Sequence, residues 1–439
     1  MEREKPLGEH PSVHRGVCSS ASSPFIFFLM VKFVRMRPRN PMTSKKQKLS
    51  LHMPKGFDLY IQICVLVLAL FGTIMVVSAS MTITSTSMDL LMIAIKQIVY
   101  IVIGYVGMVF LAKRFSFAFV RRHIFAIVIV TFVLLSVTLL FPAVNGAKAW
   151  IRIPFPGSLE MTIQPSEFAK VVGILMFAVY LGDLPRNIAQ KPQEIIAFPM
   201  YAMLGMFFLI MLFQSDLGTS VVFIGICYFI FLLPSHKKLA FIQKASLYLF
   251  GLASLIVAFM MSDPGIAILK SLDAGGYRIQ RFLAAFNPFE VAQTGGYQII
   301  GSLVGIVKGN WLGVGLGRSL QKYGYLPAAR TDFILAIIAE ETGMVGFSLL
   351  LIFYVLLVYR LFRGAMRATD EKSRMTLVGI ALYLLLHFIL NIGGVTAMIP
   401  LTGVPLLFIS QGGSSTMSIL FALGIAQNII SRQRTESVQ

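Results

Sequence analysis

The sequence predicts an all-α polytopic membrane protein with about ten transmembrane helices, and its composition is the first reason. Apolar residues of the AVILMFWYC set make up 56% of the 439 positions, charged residues only 13%, and the mean hydropathy is +0.79. A soluble domain carries about 25% charged residues, so this chain has too few to cover a water-facing surface. This composition excludes a cytosolic enzyme. A secreted disulfide-bonded protein is excluded as well, because the three cysteines are far apart in the sequence.

The second reason is the series of apolar segments that follows Asp58. Ten of them approach the length of about 20 residues that a helix needs to cross a bilayer. They cover residues 59–79, 91–112, 123–143, 164–183, 195–213, 217–233, 244–262, 333–360, 375–396 and 409–430. Spans seven and eight are separated by a long stretch, residues 263–332, whose apolar residues indicate amphipathic or re-entrant helices lying against the bundle.

The ends of the chain differ in composition from the membrane domain, which we place at residues 57–431. Residues 1–56 are rich in Pro, Ser, Lys and Arg, and their apolar run at 25–34 is too short to span a bilayer. We expect residues 1–56 to be a disordered cytoplasmic tail, with a later translation start as the alternative. Residues 432–439 are the expected C-terminal cytoplasmic tail.

The distribution of positive charge predicts the orientation. With the N-terminus in the cytoplasm, 27 of the 38 lysine and arginine residues fall on the cytoplasmic side. Such an excess is typical of cytoplasmic loops in membrane proteins. Both termini are therefore predicted to be cytoplasmic, residues 263–332 form an extracytoplasmic loop, and the formal charge of +19 indicates no nucleic-acid partner.

Polar residues collect at the span ends that this orientation turns outward. Membrane-level charges are costly and mark functional sites by default. Seven basic residues are expected on the outer half: Lys148, Arg152, Lys170, Arg278, Arg281, Lys322 and Arg330. Cations beside a membrane-level cavity suit an anionic lipid head group, and a carboxylate beside them, Asp332, suits a general base.

The same residues also have ordinary structural interpretations. Glu167 and Asp332 could cap helix N-termini, and Lys170 lies one turn beyond Glu167, at a spacing that permits an intrahelical ion pair. Asp216 could simply hold a turn. Three alternate glycines favour close helix packing over a dinucleotide fingerprint, because no strand–turn–helix unit surrounds them: Gly313, Gly315 and Gly317.

Five linked motifs resemble the SEDS family, which includes FtsW, RodA and SpoVE, with the FtsW branch the most similar. They are Gln164-Pro-Ser-Glu-Phe-Ala-Lys170, Gln214-Ser-Asp-Leu-Gly-Thr219, Gly296-Tyr-Gln298, Thr331-Asp-Phe-Ile334 and Ile409-Ser-Gln-Gly-Gly-Ser-Ser415. The resemblance covers the chain from about Asp58 to Arg434. It implies a septal peptidoglycan glycosyltransferase that polymerises lipid II outside the cytoplasmic membrane, with a class B penicillin-binding protein and other divisome proteins as partners.

The resemblance also assigns roles to individual residues. The essential aspartate of the family falls on Asp332, the expected catalytic base. The candidate substrate-binding residues are Lys148, Trp150, Arg152, Lys170, Asp216, Gln298, Lys322, Arg330 and Ser414. The chain departs from the family pattern at four positions, where Glu, His, Arg and Pro are common in relatives: Ala328, Arg330, Ala149 and Leu407.

The expected reaction needs one base and a means of binding a leaving pyrophosphate. One aspartate with several cations fits glycosyl transfer better than the two carboxylates of a glycosidase. A divalent cation, Mg²⁺ or Mn²⁺, could share the electrostatic task, although no ligand cluster in the sequence indicates one and the metal stays unknown. A lipid II flippase, a RodA-type elongation polymerase and a scaffold that only recruits the transpeptidase are the alternatives.

Cysteine labelling of intact cells from outside tests the predicted orientation. A membrane-impermeant maleimide is expected to modify a Gly275→Cys variant and to spare a Lys372→Cys variant, because the cation asymmetry places position 372 inside. The reverse labelling pattern would show that the predicted membrane orientation is wrong and would place Asp332 on the cytoplasmic side.

Overall fold

Apolar α-helices account for most of the computed structural model, as the sequence predicts. The structure describes residues 52–82, 84–144, 146–154, 160–182, 184, 191–260, 262–272 and 284–436. These residues belong to one unit of the chain, Leu51–Gln439. Arg278, Arg281 and most of the predicted N-terminal tail lie outside the described residues, so the tail boundaries stay predictions.

Twelve α-helices are found in the described residues. In chain order they are α1 (Leu59–Ala79), α2 (Ser87–Arg114), α3 (Phe117–Val137), α4 (Pro165–Leu181), α5 (Pro192–Phe208), α6 (Leu217–Phe231), α7 (Ala240–Met260), α8 (Asp263–Leu272), α9 (Tyr297–Gly309), α10 (Ile334–Met366), α11 (Glu371–Val395) and α12 (Gly413–Glu436). A π-helical turn, Leu209–Phe213, continues α5 to the next turn of the chain.

Every predicted span coincides with a helix, and eight helices of the described residues are long and apolar enough to cross a membrane. The other two predicted spans form the shorter helices α4 and α6, of 17 and 15 residues. At 1.5 Å per residue, α4 is roughly 25 Å long, against about 30 Å of hydrocarbon in a bilayer. The all-α membrane fold is confirmed, and the stretch between spans seven and eight contains α8 and α9.

One small antiparallel sheet interrupts the helical pattern. Strands β1 (Ile151–Pro154) and β2 (Glu160–Ile163) pair with Arg152 opposite Thr162. The hydroxyl of Tyr100, on α2, lies 3.0 Å from the Thr162 nitrogen and 3.3 Å from the Thr162 carbonyl oxygen. The hairpin is therefore anchored to the bundle beside the start of α4, a feature the sequence did not predict.

The two ends of the membrane domain meet on one face of the bundle. The Asp58 carboxylate, at the start of α1, accepts hydrogen bonds from Arg360 near the end of α10 and, at 2.7 Å, from Arg434 near the end of α12. The Gln427 side chain forms hydrogen bonds with both backbone groups of Asp58: it accepts from the N–H at 2.7 Å and donates to the carbonyl at 2.9 Å. We call this surface the Asp58 face. The opposite surface, with the β-hairpin and the start of α10, is the Asp332 face.

Helix α12 lies in the centre of the bundle, with 89% of its most apolar window buried. Small residues allow close contact between α12 and α2. A Cβ atom at Gly424 would overlap the Met108 backbone, and one at Gly104 would overlap the Leu420 side chain. Small residues are typical of such interfaces because association within a membrane depends on packing.

Helix α10 is broken at Gly343, whose backbone (φ 64°, ψ −167°) is non-helical. The loop that follows α9 fills the break. Val314 and Gly315 donate their N–H groups to the carbonyls of Glu340 and Glu341, and the Asn310 carbonyl accepts from Met344. Gly313, Gly315 and Gly317 adopt positive φ in this loop, so they allow a loop, rather than a helix as predicted, to approach α10.

Gly343→Ala is expected to lower the midpoint of thermal unfolding of the detergent-purified protein. The backbone conformation favours glycine, at a cost of about 1–3 kcal/mol for other residues, and the new Cβ would overlap the backbone of Gly313 and Trp311. Gly251→Ala is the matched control, because a Cβ there meets nothing within 4 Å in the helical backbone of α7. Equal unfolding midpoints for the two variants would contradict the description of the break.

Candidate active site

Three consecutive carbonyl groups fix the backbone that carries Asp332. The Arg330 carbonyl accepts from the Gln411 N–H at 2.9 Å, and the Thr331 carbonyl accepts from the Ser410 hydroxyl at 2.7 Å. The Asp332 carbonyl accepts from the side-chain amide of Asn391 at 2.9 Å. These donors come from α11 and from the loop before α12, so distant parts of the sequence position the aspartate.

The Asp332 carboxylate lies over the loop between α11 and α12. A Cβ atom built on Gly403, a positive-φ residue, would lie 3.6 Å from Asp332 Oδ2, and Asp332 is half-buried. The N-cap residue of α10 is Phe333, and Asp332 directly precedes it. The tight turn before α10 is closed at Ala328, which has φ 57° and whose carbonyl accepts from the Thr331 N–H at 3.0 Å.

The loop itself, residues 396–412, is held from below by buried side chains. Asn391 donates to the Val404 carbonyl as well as to Asp332, and His387 Nδ1 donates to the Pro405 carbonyl, both at 2.9 Å. The Tyr354 hydroxyl donates to the Leu407 carbonyl at 2.6 Å. The non-helical backbone is thus satisfied within the protein, as membrane proteins require.

A buried ionic network lies beneath this loop. The Lys170 ammonium is 2.7 Å from Glu167 Oε1 and 2.8 Å from His387 Nε2, and the Tyr383 hydroxyl donates to Glu167 Oε2 at 2.6 Å. Because the Pro405 carbonyl can only accept, His387 carries its proton on Nδ1 and accepts from Lys170 on Nε2. The predicted Glu167–Lys170 pair is confirmed, and the cap interpretation of Glu167 is wrong because both oxygens bind side chains.

A second buried pair joins the stretch before α10 to that helix. The Lys322 ammonium is 3.0 Å from Glu341 Oε1, with both side chains fully buried. The other carboxylate oxygen of Glu341 accepts from the Ser78 hydroxyl at 2.5 Å. Glu340 accepts from the Ser319 hydroxyl and, at 3.1 Å, from the Leu320 N–H. Lys322 is therefore enclosed by the protein rather than presented to solvent.

A third group forms around the N-terminus of α6. Asp216 caps this helix, accepting from the Thr219 N–H at 3.0 Å, and it also accepts from the Gln164 side chain at 2.8 Å. Desolvation raises the pKa of the Asp216 carboxyl, although the Thr219 N–H acts in the opposite direction. The Lys148 N–H donates to the Gln214 carbonyl at 2.9 Å. Asp216 has the turn-holding role, and the exposed Lys148 lies beside the same turn.

The remaining predicted site residues are distributed over the Asp332 face. Arg330 is exposed, two residues before Asp332, and Ser414 is buried at the start of α12. Trp150 and Arg152 are half-buried beside and within β1, and Gln298 is half-buried on α9. The turn at Arg330 and Asp332 is tied directly to Ser410 and Gln411, whereas no described hydrogen bond links Gln298 or Trp150 to it.

The sequence did not indicate the roles of His387 and Tyr383. His387 joins the ionic network to the loop below Asp332, and Tyr383 binds Glu167 within the network. Both lie in an apolar span, where an ionisable group is a functional candidate by default, so the signal was present. Among the described residues, no three His, Cys, Asp or Glu side chains gather as metal ligands. Binding of a divalent cation stays a prediction.

Comparison with known proteins gives a match over almost the whole membrane domain. The family model FTSW_RODA_SPOVE, described as cell cycle protein, matches residues 58–435. The chain is 34% identical to stage V sporulation protein E of Bacillus subtilis (strain 168), covering 85% of this chain and 96% of that protein. It is 33% identical to the probable peptidoglycan glycosyltransferase FtsW of Coxiella burnetii (strain RSA 493 / Nine Mile phase I), covering 85% and 96%.

Solved structures share the fold. A chain of a peptidoglycan synthase complex that coordinates polymerization and crosslinking superposes with a TM-score of 0.64 at 23% identity, covering 86% of this chain and 98% of that one. The rod shape-determining protein RodA of Thermus thermophilus gives a TM-score of 0.57 at 24% identity, covering 86% and 97%. At these identities the likeness concerns the fold alone.

Lys170→Met is expected to destabilise the protein strongly, because it leaves the Glu167 carboxylate buried without its cation. Removing one partner of a buried pair costs about 3–5 kcal/mol. The double variant Glu167→Gln/Lys170→Met leaves no buried unpaired charge and should unfold at a higher temperature than the single variant in detergent. A single variant as stable as wild type would show that the pair does not support the fold.

Proposed function

The chain belongs to the FtsW/RodA/SpoVE family of cell cycle proteins, and from this premise we propose that it is a peptidoglycan glycosyltransferase. It polymerises lipid II into glycan strands at the outer face of the cytoplasmic membrane. The names of its relatives support this activity, since FtsW proteins that match over 96–98% of their length are called probable peptidoglycan glycosyltransferases. The site is assigned to Asp332 because hydrogen bonds fix its backbone.

Asp332 acts as the general base of this reaction. The 4-hydroxyl of the acceptor glucosamine attacks the anomeric carbon of the lipid-linked muramic acid, undecaprenyl pyrophosphate leaves, and the carboxylate takes the hydroxyl proton. A base of this kind must lie within about 2.6–3.2 Å of the proton-bearing atom. Three hydrogen bonds to the carbonyls of residues 330–332 fix the backbone from which the carboxylate projects, which supports this role.

The developing charge on the pyrophosphate is stabilised by basic residues of the Asp332 face. Arg330 is exposed and lies two residues from the base, and Lys148 and Arg152 retain accessible side chains. Lys170 and Lys322 already bind carboxylates, so they act by positioning the loop and α10. Preorganised cations of this kind supply electrostatic stabilisation without reorganisation during the reaction. Mg²⁺ or Mn²⁺ is the alternative source of positive charge.

The other predicted residues complete the binding surface for lipid II. We assign Trp150 and Gln298 to the sugar and peptide parts of the substrate, because both side chains are half-buried and retain polar atoms. Ser414 lies at the N-terminus of α12, where backbone N–H groups favour an anion. Asp216 contributes through the turn that it caps, beside Lys148.

A role in cell division is supported by the relatives named FtsW. The sporulation protein and RodA belong to the same family, so an elongation polymerase is the alternative. The chain acts at the septum together with a class B penicillin-binding protein and other divisome proteins. The structural likeness to a chain of a peptidoglycan synthase complex supports a partner of that kind.

Asp332→Asn tests the catalytic assignment. The substitution keeps the size of the side chain and removes the base, and general-base catalysis contributes about 10²–10⁴-fold. We expect normal membrane levels and a decrease of at least about 100-fold in polymerisation of labelled lipid II by purified protein with its transpeptidase partner. Asp89→Asn is the matched control, since Asp89 is an exposed carboxylate that caps α2 on the same face.

The competing functions give different results in this assay. A flippase or a scaffold needs no base, so wild-type protein of either kind would not polymerise lipid II at all. Asp332→Asn protein that polymerises at a near-wild-type rate would remove Asp332 from the mechanism. The search for a base would then move to Asp216, which is half-buried, whereas Glu340 and Glu341 are fully buried.

A further inference from the structure

A cavity of about 280 Å³ lies on the Asp58 face, opposite the candidate active site. It is bounded by α10, by α12 and by the residue that precedes α1. Its polar lining consists of Asp58, Arg360, Arg363, Arg367, Gln433 and Arg434. Four arginines against one aspartate make this lining strongly positive, with a net charge of +3.

The cavity is built by the packing of two helices. Arg360, Arg363 and Arg367 follow one another at three- and four-residue spacing, which puts them on the same side of α10. Between them, Gly364 allows α12 to approach, since a Cβ atom there would lie 3.2 Å from the Ile430 side chain. The arginines therefore extend over a floor that both helices form.

Two of the four arginines are anchored and two are available. Arg360 and Arg434 both bind the Asp58 carboxylate, which neutralises part of their charge. In the part of the chain that the structure describes, neither Arg363 nor Arg367 makes an ion pair or a side-chain hydrogen bond. Like charges gathered without a counter-ion are unfavourable, and an anion would relieve their repulsion.

A buried amide donor points to the same ligand chemistry. The Gln433 Nε2 atom is buried and has no hydrogen-bond partner among the described residues. A buried donor without an acceptor is unfavourable. Gln433 lines the cavity, so a ligand with oxygen acceptors would satisfy it while binding the arginines.

We propose that this cavity binds a phosphate-bearing anion, either the head group of an anionic membrane lipid or a free phosphate. Arginine forks match phosphate oxygens with paired hydrogen bonds, and basic pockets between transmembrane helices on the cytoplasmic side bind such head groups. The Asp58 face is the predicted cytoplasmic side. The volume lies just below the range of about 300–1,000 Å³ of drug-sized sites, so it suits a phosphate with a short substituent.

The variants are chosen to separate a formed site from a generally basic surface. Arg363→Gln/Arg367→Gln removes the two available arginines and relieves their repulsion, so folding should survive. Gln433→Met removes the buried donor without any change in net charge. Arg122→Gln/Lys237→Gln is the matched control, because it removes two exposed charges that do not line the cavity but belong to the same predicted membrane side.

Two measurements on the purified full chain identify the source of the phosphate. In the first, phosphatidylcholine nanodiscs contain increasing phosphatidylglycerol, and native mass spectrometry counts the phosphatidylglycerol that the protein retains. In the second, inorganic phosphate is titrated against chloride at constant ionic strength, and the thermal unfolding midpoint is followed. Saturable binding in the first measurement alone supports a lipid head group; saturable binding in the second supports a site open to free phosphate.

In whichever measurement shows binding, the control should match wild type. The double arginine variant should bind at least about tenfold more weakly, since each basic residue near an anionic lipid contributes about 1 kcal/mol, or roughly fivefold. Gln433→Met should also bind more weakly than wild type. Absence of saturable binding in both measurements, or equal binding by all four proteins, would overturn the proposal.

Discussion

Non-helical backbone inside a membrane bundle needs hydrogen-bond partners from the protein, and the loop at residues 396–412 shows how this chain supplies them. Asn391, His387 and Tyr354 bind three carbonyls of the loop, those of residues 404, 405 and 407. The Ser410 hydroxyl accepts from the Leu406 N–H. Without such partners each exposed backbone group would cost several kcal/mol in hydrocarbon. The loop in turn holds the carbonyls of residues 330–332, so the position of Asp332 depends on this set of side chains.

Two ion pairs are buried beneath the Asp332 face. Lys170 binds Glu167 and His387, and His387 binds the loop at Pro405. Lys322 binds Glu341, two residues before the break in α10 at Gly343. A buried pair is weak evidence for stability by itself, because desolvation opposes the attraction. Here the first pair, within α4, is linked through His387 to the loop at Pro405. The second joins Lys322, in the stretch before α10, to that helix, so the value of both pairs lies in positioning.

The sequence predicted the spans well because length and apolar composition are local properties, and all ten predicted segments are helices. It identified the Glu167–Lys170 pair because the pair depends on a short spacing. Asp332 was singled out by the resemblance to the family and by the nearby cations, and its role stays a prediction. The sequence missed the roles of His387 and Tyr383, since their partners lie more than 200 residues away in the chain. The break at Gly343 was also missed, because a glycine in an apolar run is common in continuous transmembrane helices.

We propose that the loop and α11 fix the backbone of Asp332 so that its carboxylate lies where an acceptor hydroxyl must lose its proton. A cryo-electron microscopy structure of the wild-type chain with its transpeptidase partner and a lipid II acceptor analogue measures this directly. We expect a distance of about 2.6–3.2 Å between an Asp332 carboxylate oxygen and the 4-hydroxyl oxygen of the acceptor. An ordered acceptor whose 4-hydroxyl contacts another protein group, with Asp332 beyond hydrogen-bond reach even through one water, would contradict it.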